Sequence, residues 1–195
     1  WFFEFLTEEI GLDPKKIYDT VLLGDEKNKH PKDTESSNVW KEIFKKSGIE
    51  AGEVELGSEK NGNDKGMRGG RIFYYDTSKN WWSRAGAPHN MPAGEPGGPD
   101  SEVFYEFDAI EHDKKFGEHC HPNCDCGRFL EIGNSVFMEY KKMADGTFEK
   151  LKQKNVDFGG GLERIAAASQ DTPDIFMIDV FQTIIKYLEK LSEKS

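Results

Sequence analysis

Apolar positions recur at two different spacings, which predict helices near both ends of the chain and strands between them. Helical spacing predicts helices over residues 1–10, 39–49, 162–169 and 175–191. Runs of β-branched and aromatic residues predict strands over 17–23, 53–56, 71–75, 101–108, 128–140 and 155–159. In the last helix we expect a buried apolar stripe made of Ile175, Ile178, Phe181, Ile185 and Leu188.

Glycine, proline and polar residues separate these elements. We expect loops over 57–70 and over 80–99, and a loop as long as the second usually has a function. The Asp145-Gly146 dipeptide predicts a hairpin, and the other strand connections in the second half are also short. The pattern therefore predicts an α+β fold, in which helices flank an antiparallel sheet in one unit of 195 residues.

Charge and composition narrow the class of protein. The chain has 36 acidic and 26 basic residues, and this net charge of -10 provides no overall positive field for nucleic acid. No apolar run approaches the roughly 18 residues of a membrane span, and no signal peptide is recognisable. Because the three cysteines are odd in number and clustered, we expect a reducing, cytoplasmic location. The chain starts inside an apolar run without methionine, so we expect it to come from a longer protein.

The segment KNVDFGGGLERI, residues 154–165, is a candidate ligand site. Alternate strand residues share a face, so Asp157, Gly159 and Gly161 would place a carboxylate beside a surface without side chains. If Leu162 begins a helix, its free N–H groups and the Arg164 cation favour an anion. Alternatively, the glycines allow close helix packing and Arg164 pairs with a surface carboxylate.

The segment HCHPNCDCGR, residues 119–128, is a candidate metal site. Cys120, Cys124 and Cys126, with His119, His121 or His112 as a fourth ligand, would form the tetrahedral N/S set that zinc prefers. The spacing is irregular, because Cys124 and Cys126 are separated by one residue. A reduced surface loop is the alternative.

Several ordered segments resemble the class II aminoacyl-tRNA synthetases, and in particular their alanyl branch. NVDFGGGLERI is similar to motif 3 of that branch, and the glycine-spaced strand is followed by LERI in both. The opening WFFEFLTEEIGLDPKKI is similar to the WEFLT helix, so the resemblance covers nearly the whole chain. The other matching segments are NWW (80–82), EPGGPDSEVFY (95–105), LEIGNSVFMEY (130–140) and ADGTFEKL (144–151).

The resemblance implies that alanine and ATP form alanyl-adenylate, and that the alanyl group passes to the 3′ end of tRNA(Ala). Asp157 would accept the ammonium of alanine in a buried position, and Arg164 would lie over the adenine and reach the γ-phosphate. Gly159 and Gly161 would lie under the adenosine. Four further positions match substrate or magnesium contacts of the class: Trp82 and Val136 would line the alanine pocket, Asn134 would contact substrate, and Glu131 would hold Mg²⁺ on the ATP phosphates.

Glu131 and Asn134 lie three residues apart, so a regular strand would send them to opposite faces. A bulge would bring them to one face, and Gly133 could accommodate one through a positive φ. The family usually has tryptophan at this position, and it has cysteines where this chain has Gly97 and Asp100. Any inherited role of those positions is therefore in doubt.

Motifs 1 and 2 of the class have no match in residues 1–195, which resemble the C-terminal part of the catalytic domain. We therefore expect no alanine-dependent ATP/pyrophosphate exchange from this chain alone, and we expect self-association through an unpaired sheet edge. Two other functions remain open: a nucleotide-binding or regulatory module derived from a synthetase, and a structural domain organised by zinc. A P-loop hydrolase is disfavoured, because the sequence lacks the motif.

Overall fold

Seven strands form one sheet in the computed structural model, which describes residues 1–192. The strands are β1 (Ile17–Leu22), β2 (Glu53–Gly57), β3 (Ile72–Tyr75), β4 (Trp81–Ser83), β5 (Pro96–Glu106), β6 (Phe129–Lys142) and β7 (Phe148–Gly160). The helices are α1 (Phe2–Glu4, continued as a π-helix over Phe5–Glu9), α2 (Thr34–Lys46), α3 (Glu59–Lys65), α4 (Leu162–Ser169) and α5 (Asp179–Ser192). Short 3-10 turns lie at Pro14–Lys16, Pro88–Asn90, Lys114–Phe116 and Ile175–Met177.

The strand order is β2-β3-β1-β5-β6-β7, and β4 pairs with the start of β5. Pairs β1–β5, β5–β6, β6–β7 and β4–β5 are antiparallel, whereas β2–β3 and β3–β1 are parallel. The α+β class with helices on the sheet is confirmed. The expectation of an antiparallel sheet is correct for the second half of the chain and wrong for the first, where connections containing α2 and α3 return the chain in the same direction.

The two faces of the sheet have separate cores. The helix face, which carries Val21 and Ile132, packs against α1, α2 and α4 through residues such as Leu6, Phe44 and Ile165. The opposite face, called the site face below, has a second core made of Tyr18, Leu56, Phe73, Tyr75, Phe104 and Phe129. Cys120 packs against this second core, so part of the connection between β5 and β6 covers the site face.

Several elements differ from the expectations in length or kind: α2 covers Thr34–Lys46 instead of 39–49, and β5 covers Pro96–Glu106 instead of 101–108. The glycine-rich segment 57–70 contains α3, because the Ser58 side chain caps the backbone N–H of Asn61. The segment 80–99 contains β4 and the start of β5. Strand β7 extends over thirteen residues instead of 155–159, and most of its side chains are exposed.

The buried stripe predicted for the last helix is wrong. Of its five residues, only Ile178 is nearly inaccessible, at 1% exposure, and it precedes α5. Leu188 is 55% exposed, and α5 has no buried residue. The helix therefore shows an amphipathic pattern without a packed partner in residues 1–192. No helix within that range combines the length and apolar composition needed to cross a membrane.

Candidate active site

The site face carries two rows of candidate residues that cross three neighbouring strands. In the first row, Val136 on β6 lies between Asp100 on β5 and Asp157 on β7. In the second row, Asn134 lies between Glu102 and Gly159. Directly opposed residues share a face, so these rows bring most of the predicted site residues to one surface.

A bulge in β6 adds Glu131 to the same surface. Val103 pairs with Gly133 and the next β5 residue, Phe104, pairs with Glu131, which leaves Ile132 as the extra residue. Because of this insertion, Glu131 and Asn134 face the same way although they lie three apart. The predicted bulge is therefore present.

The reason proposed for glycine at position 133 is wrong. Gly133 is not among the glycines with positive φ. A Cβ at this position would instead collide with the ring of Phe2, which packs against the helix face here. Close approach of an aromatic ring therefore explains the glycine, and a tryptophan at this position would displace Phe2.

The surface beside Asp157 has no side chains. A Cβ built on Gly159 would meet no atom within 4 Å, so the space above it is open. A Cβ built on Gly161 would lie 3.0 to 3.2 Å from the Arg164 side chain, so this glycine allows Arg164 to fold back over the turn. Gly161 also precedes α4, and Arg164 lies in the first turn of that helix.

Arg164 and Glu131 bind each other at the end of this surface. Nη1 of Arg164 donates to the Glu131 carboxylate and to its backbone carbonyl, each at 3.0 Å. Both side chains are partly exposed, and an exposed ion pair of this kind contributes only about 0–1 kcal/mol. Arg164 does pair with a surface carboxylate, as one interpretation of the sequence expects. The other interpretation, in which Arg164 binds an anion, is also compatible with this geometry, because a phosphate can replace Glu131 in such a weak pair.

Asp100 is buried and fixes two amides of the site. One carboxylate oxygen accepts from Nδ2 of Asn80 at 3.2 Å, and the other accepts from Nδ2 of Asn134 at 3.2 Å. The amide of Asn134 is thereby oriented, and its buried Oδ1 has no hydrogen-bond partner among the described residues. Nδ2 of Asn80 also donates to Thr20, which in turn donates to Glu102.

Burial and nearby negative charge raise the pKa of two acidic residues of this surface. Burial raises the pKa of Asp100, and the charge of Glu131 adds to this increase. Burial also raises the pKa of Glu102, to which the charges of Asp100 and Glu131 contribute further. Lys79 acts in the opposite direction at Glu102. A cation bound at this surface would relieve the repulsion between the carboxylates.

Asp157 does not occupy the buried position expected for it. Its side chain is exposed, because β7 pairs only with β6 in residues 1–192. Val136 beside it is only 4% exposed. Trp82 pairs in register with Gly98 on β5 and is 36% exposed, so its ring is accessible to a ligand.

The structure also has a cavity of about 730 Å³ on the helix face. Its lining includes Phe2, Trp40, Ser135, Phe137 and Val156. These residues lie on the other side of the sheet from Asn134 and Asp157. The cavity contains none of the residues predicted from the resemblance. We therefore place the candidate site on the open surface formed by Asp157, Gly159 and Gly161, which is called the shelf below.

The cysteine segment forms a separate cluster. His112, Cys120, Cys124 and Cys126 place their ligand atoms within 4.8 Å of one another. His119, one of the three histidines considered as the fourth ligand, lies outside this group, and its backbone N–H donates to the backbone carbonyl of Asn63 on α3. Both ring nitrogens of His121 are engaged, with Tyr75 and Asn63, and burial lowers its pKa to about 4.

Comparison with known proteins decides the family. A family model described as tRNA synthetases class II (A) matches residues 1–195. The chain belongs to this family.

Several relatives of this class II synthetase chain are alanine–tRNA ligases. It is similar to the one from Treponema denticola, with 35% identity over 194 residues, which cover 97% of this chain and 26% of the relative. The ligase of Borrelia hermsii is 34% identical over 196 residues, covering 98% and 27%. That of Petrotoga mobilis is 33% identical over 193 residues, covering 98% and 18%. The chain thus spans about a quarter or less of these relatives.

The sequence of this synthetase chain did not lead us to the residues that hold the site residues in place. Asp100 was noted only as a departure from the family, and Glu102, Thr20 and Asn80 were not considered. One signal was available: the alternation in PDSEVFYE places Asp100 and Glu102 on the face that also carries Phe104. Two acids on an apolar strand face indicate a buried polar network.

Proposed function

We propose that this chain contributes the motif 3 part of the alanine-activating site of an alanine–tRNA ligase, which joins alanine to ATP and then passes the alanyl group to tRNA. The names of the relatives support the choice of amino acid. The observation that carries the proposal is the shared surface of Asp157, Gly159 and Arg164, which provides an acid for an amine and a cation for a nucleotide.

The amino acid would bind at the row that contains Val136. The Asp157 carboxylate would accept from the alanine ammonium. Oδ1 of Asn134, which has no partner within residues 1–192, offers a second acceptor whose direction Asp100 fixes. Val136 and Trp82 would limit the space for the side chain. A bound ammonium would also favour the ionised form of Asp100, whose pKa is raised by burial and by the charge of Glu131.

The nucleotide would bind along β7 toward α4. The open space over Gly159 admits a flat base or ribose, and Gly161 leaves room for Arg164 beside it. Among the described residues, the bonds of Arg164 to Glu131 use Nη1 alone, so Nε and Nη2 can bind phosphate oxygens or the guanidinium can stack on adenine. The N-terminus of α4 adds a favourable dipole.

The chemistry requires positioning and charge stabilisation. The carboxylate of alanine attacks the α-phosphate, a new C–O–P link forms, and pyrophosphate leaves with its bonding electrons. No side chain must act as a base, because the carboxylate is already ionised. Residues of this chain orient the two reactants and stabilise the developing charge.

Glu131 is the residue that would hold Mg²⁺ on the ATP phosphates. It is a partly exposed carboxylate beside Arg164, and oxygen ligands of this type suit magnesium. The ion would neutralise phosphate charge when bound.

Binding of a non-hydrolysable alanyl-adenylate analogue to the 195-residue chain tests the proposal. We expect Asp157→Asn to weaken calorimetric binding about tenfold, because it removes one charge-assisted bond to the ammonium. Arg164→Ala should weaken binding of both ATP and the analogue. Glu149→Gln, an exposed change on the same strand, is the matched control.

The outcome separates three possibilities. Weaker binding in both site variants but not in the control supports the proposal. If the chain binds ATP and binds the alanyl, seryl and glycyl analogues equally well, the result would support a nucleotide-binding module instead. No analogue binding by the wild-type chain at millimolar concentration would contradict the assignment of this surface.

The broader assignments rest on the same resemblance. We assign residues 1–195 to the C-terminal part of a class II catalytic domain, with tRNA(Ala) as a partner through the rest of a longer ligase. A cytoplasmic location stays a prediction from cysteine usage. The expected lack of pyrophosphate exchange by this chain alone can be measured directly, and robust exchange would refute it.

A further inference from the structure

We propose that His112, Cys120, Cys124 and Cys126 form a structural zinc site that fixes the connection between β5 and β6. This function is separate from the proposed alanine activation. All four ligand atoms come from the 107–128 connection itself, and they lie within 4.8 Å of one another.

The distances match the edges of a zinc tetrahedron. Zn–S bonds of about 2.3 Å and Zn–N bonds of about 2.0 Å place neighbouring ligand atoms roughly 3.5 to 3.8 Å apart. Sγ of Cys120 lies 3.5 Å from Sγ of Cys126, and Sγ of Cys124 lies 3.7 Å from Nδ1 of His112. These are two opposite edges of such a tetrahedron. All three cysteines are free, and the 3.5 Å separation is far longer than the roughly 2.05 Å of a disulfide.

The hydrogen bonding of His112 fits the role of a metal ligand. Its Nε2 lies 2.9 Å from the backbone carbonyl of Gly117, and a carbonyl can only accept. The proton of the neutral ring is therefore on Nε2, and the lone pair of Nδ1 points to the thiols. A backbone carbonyl that holds the outer N–H is the common arrangement around metal-binding histidines.

The nearby histidines have other roles. His121 is fully buried and uses both ring nitrogens, in bonds to Tyr75 and Asn63. Its ring also occupies the space that a Cβ at Gly62 would need, so it anchors the connection to α3. His119 packs its Cβ near Gly66 at the end of the same helix. His112 thus supplies the fourth ligand.

The structural role follows from the position of the site. Between β5 and β6, the described regular structure is one 3-10 turn at Lys114–Phe116, and a connection this long needs a further constraint. Directly after the last cysteine and Gly127, the Arg128 guanidinium bonds Glu106 at the end of β5. A metal ion at the cluster would hold the start of β6 and hence the position of the nearby bulge.

Metal analysis of the 195-residue chain, purified without chelators, tests the proposal. We expect about one zinc per chain in the wild type and less than about a tenth of that in Cys124→Ser/Cys126→Ser, because only two ligands remain. His112→Ala should release zinc to a chelating dye at least about tenfold more readily. His119→Ala is the matched control, because His119 lies on the same segment outside the cluster.

Cobalt substitution keeps the test valid if the variants do not fold. Co²⁺ added to chelator-treated wild-type chain should give thiolate charge-transfer absorption and the intense visible bands of tetrahedral coordination. Restoring zinc should raise the thermal midpoint by about 5 to 10 °C. An octahedral cobalt spectrum, wild-type chain that carries no zinc when it is purified without chelators, or equal losses in the His112 and His119 variants would each overturn the proposal.

Discussion

At the scale of single residues, the site depends on polar groups that the surrounding strands hold in place. Asp100 is 2% exposed and holds the amides of Asn80 and Asn134 with its two oxygens. Glu102 next to it bonds Thr20 on β1. A buried network of this kind orients the residues that would contact a ligand. Burial of charged carboxylates is unfavourable, and the pKa values of Asp100 and Glu102 are therefore raised.

The raised pKa of Glu102 predicts a pH dependence of stability. In the folded chain Glu102 keeps its proton above the pH at which the unfolded chain releases it. The free energy of unfolding should therefore fall as the pH rises from about 5 toward 9, by up to about 1.4 kcal/mol per pH unit for each such proton. Glu102→Gln keeps the acceptor for Thr20 and should flatten this fall, as urea unfolding at several pH values would show.

Between pH 7 and 8.5 the two buried histidines do not contribute to the slope. Burial lowers the pKa of His30 and His121 to about 4, so both are neutral when folded. Their contribution to stability is lost only as the pH falls below the unfolded value of about 6.5. Glu149→Gln serves as the exposed control. Identical slopes for wild type and Glu102→Gln would show that burial does not hold this proton.

The residues of the site were predictable from the sequence to the extent that they share a strand. The alternation around Asp157 and Gly159 follows from the twofold period of a strand, and the structure agrees. The alternation in PDSEVFYE indicates that Asp100 lies on a strand face with Glu102, but its contacts with Asn80 and Asn134 were not predictable, because the three residues are far apart in the sequence. The fourth neighbour of the thiols was left open for the same reason, since chain distance does not tell His112 from His119.

At the scale of elements, glycines set how closely neighbouring strands and rings approach. Gly98 on β5 lies against the backbone of Phe137 on β6, where the pairing of the two strands is irregular. Gly62 on α3 lies against the His121 ring. Helix α3 was missed because the sequence EKNGNDK has a glycine at its centre, and tertiary packing outweighs that weak propensity.

A pair of glycine substitutions should separate stability from ligand binding. A Cβ at Gly98 meets a backbone carbonyl that cannot rotate away, so Gly98→Ala should destabilise the chain by about 2–3 kcal/mol. Gly159→Ala adds a methyl group to open space and should change stability by less than about 0.5 kcal/mol. It should nevertheless weaken binding of the adenylate analogue, because the methyl group occupies the shelf.

Chemical unfolding and calorimetry measure the two effects. Comparable destabilisation by both substitutions would contradict the packing described for Gly98. Unchanged analogue binding in Gly159→Ala would show that the nucleotide does not lie over this glycine.

Element boundaries were predicted best where a clear start signal is present. Helix α4 begins and ends as expected, because three glycines precede a regular apolar pattern. Strand β7 was predicted too short, since both of its faces are largely exposed and its first half is rich in lysine. An exposed strand has no apolar alternation that a sequence could reveal.

At the scale of the whole molecule, the sheet has an exposed strand at one end. β7 pairs with β6 on one side, and its other side has no partner strand in residues 1–192. Val156 and Phe158 on it are 69% and 48% exposed. The mixed strand order at the other end was not predictable, because the sequence signals hairpins but does not specify how parallel strands are arranged.

We expect the chain to associate through β7 as its concentration rises from micromolar to millimolar. An unpaired strand offers free backbone groups to a second copy. Val156→Lys should reduce the association seen in sedimentation or size-exclusion experiments, because charge on an edge opposes pairing. Val180→Lys, which changes an equally exposed residue on α5, is the control.

The control also tests the alternative surface. Loss of association in Val180→Lys, but not in Val156→Lys, would assign the contact to α5. A strict monomer over the whole concentration range would contradict the expectation altogether.

The central position of β1 constrains the order in which the chain can fold. All six of its residues are buried, and the partners on its two sides come much later: the bond from Tyr18 to Glu106 joins residues 88 apart. During synthesis this apolar strand must therefore wait until more than half of the chain has left the ribosome, whereas the β6–β7 hairpin can form locally. Over that interval, the side chains of β1 that are buried in the folded sheet lack the strands that cover them, and they remain accessible to other chains.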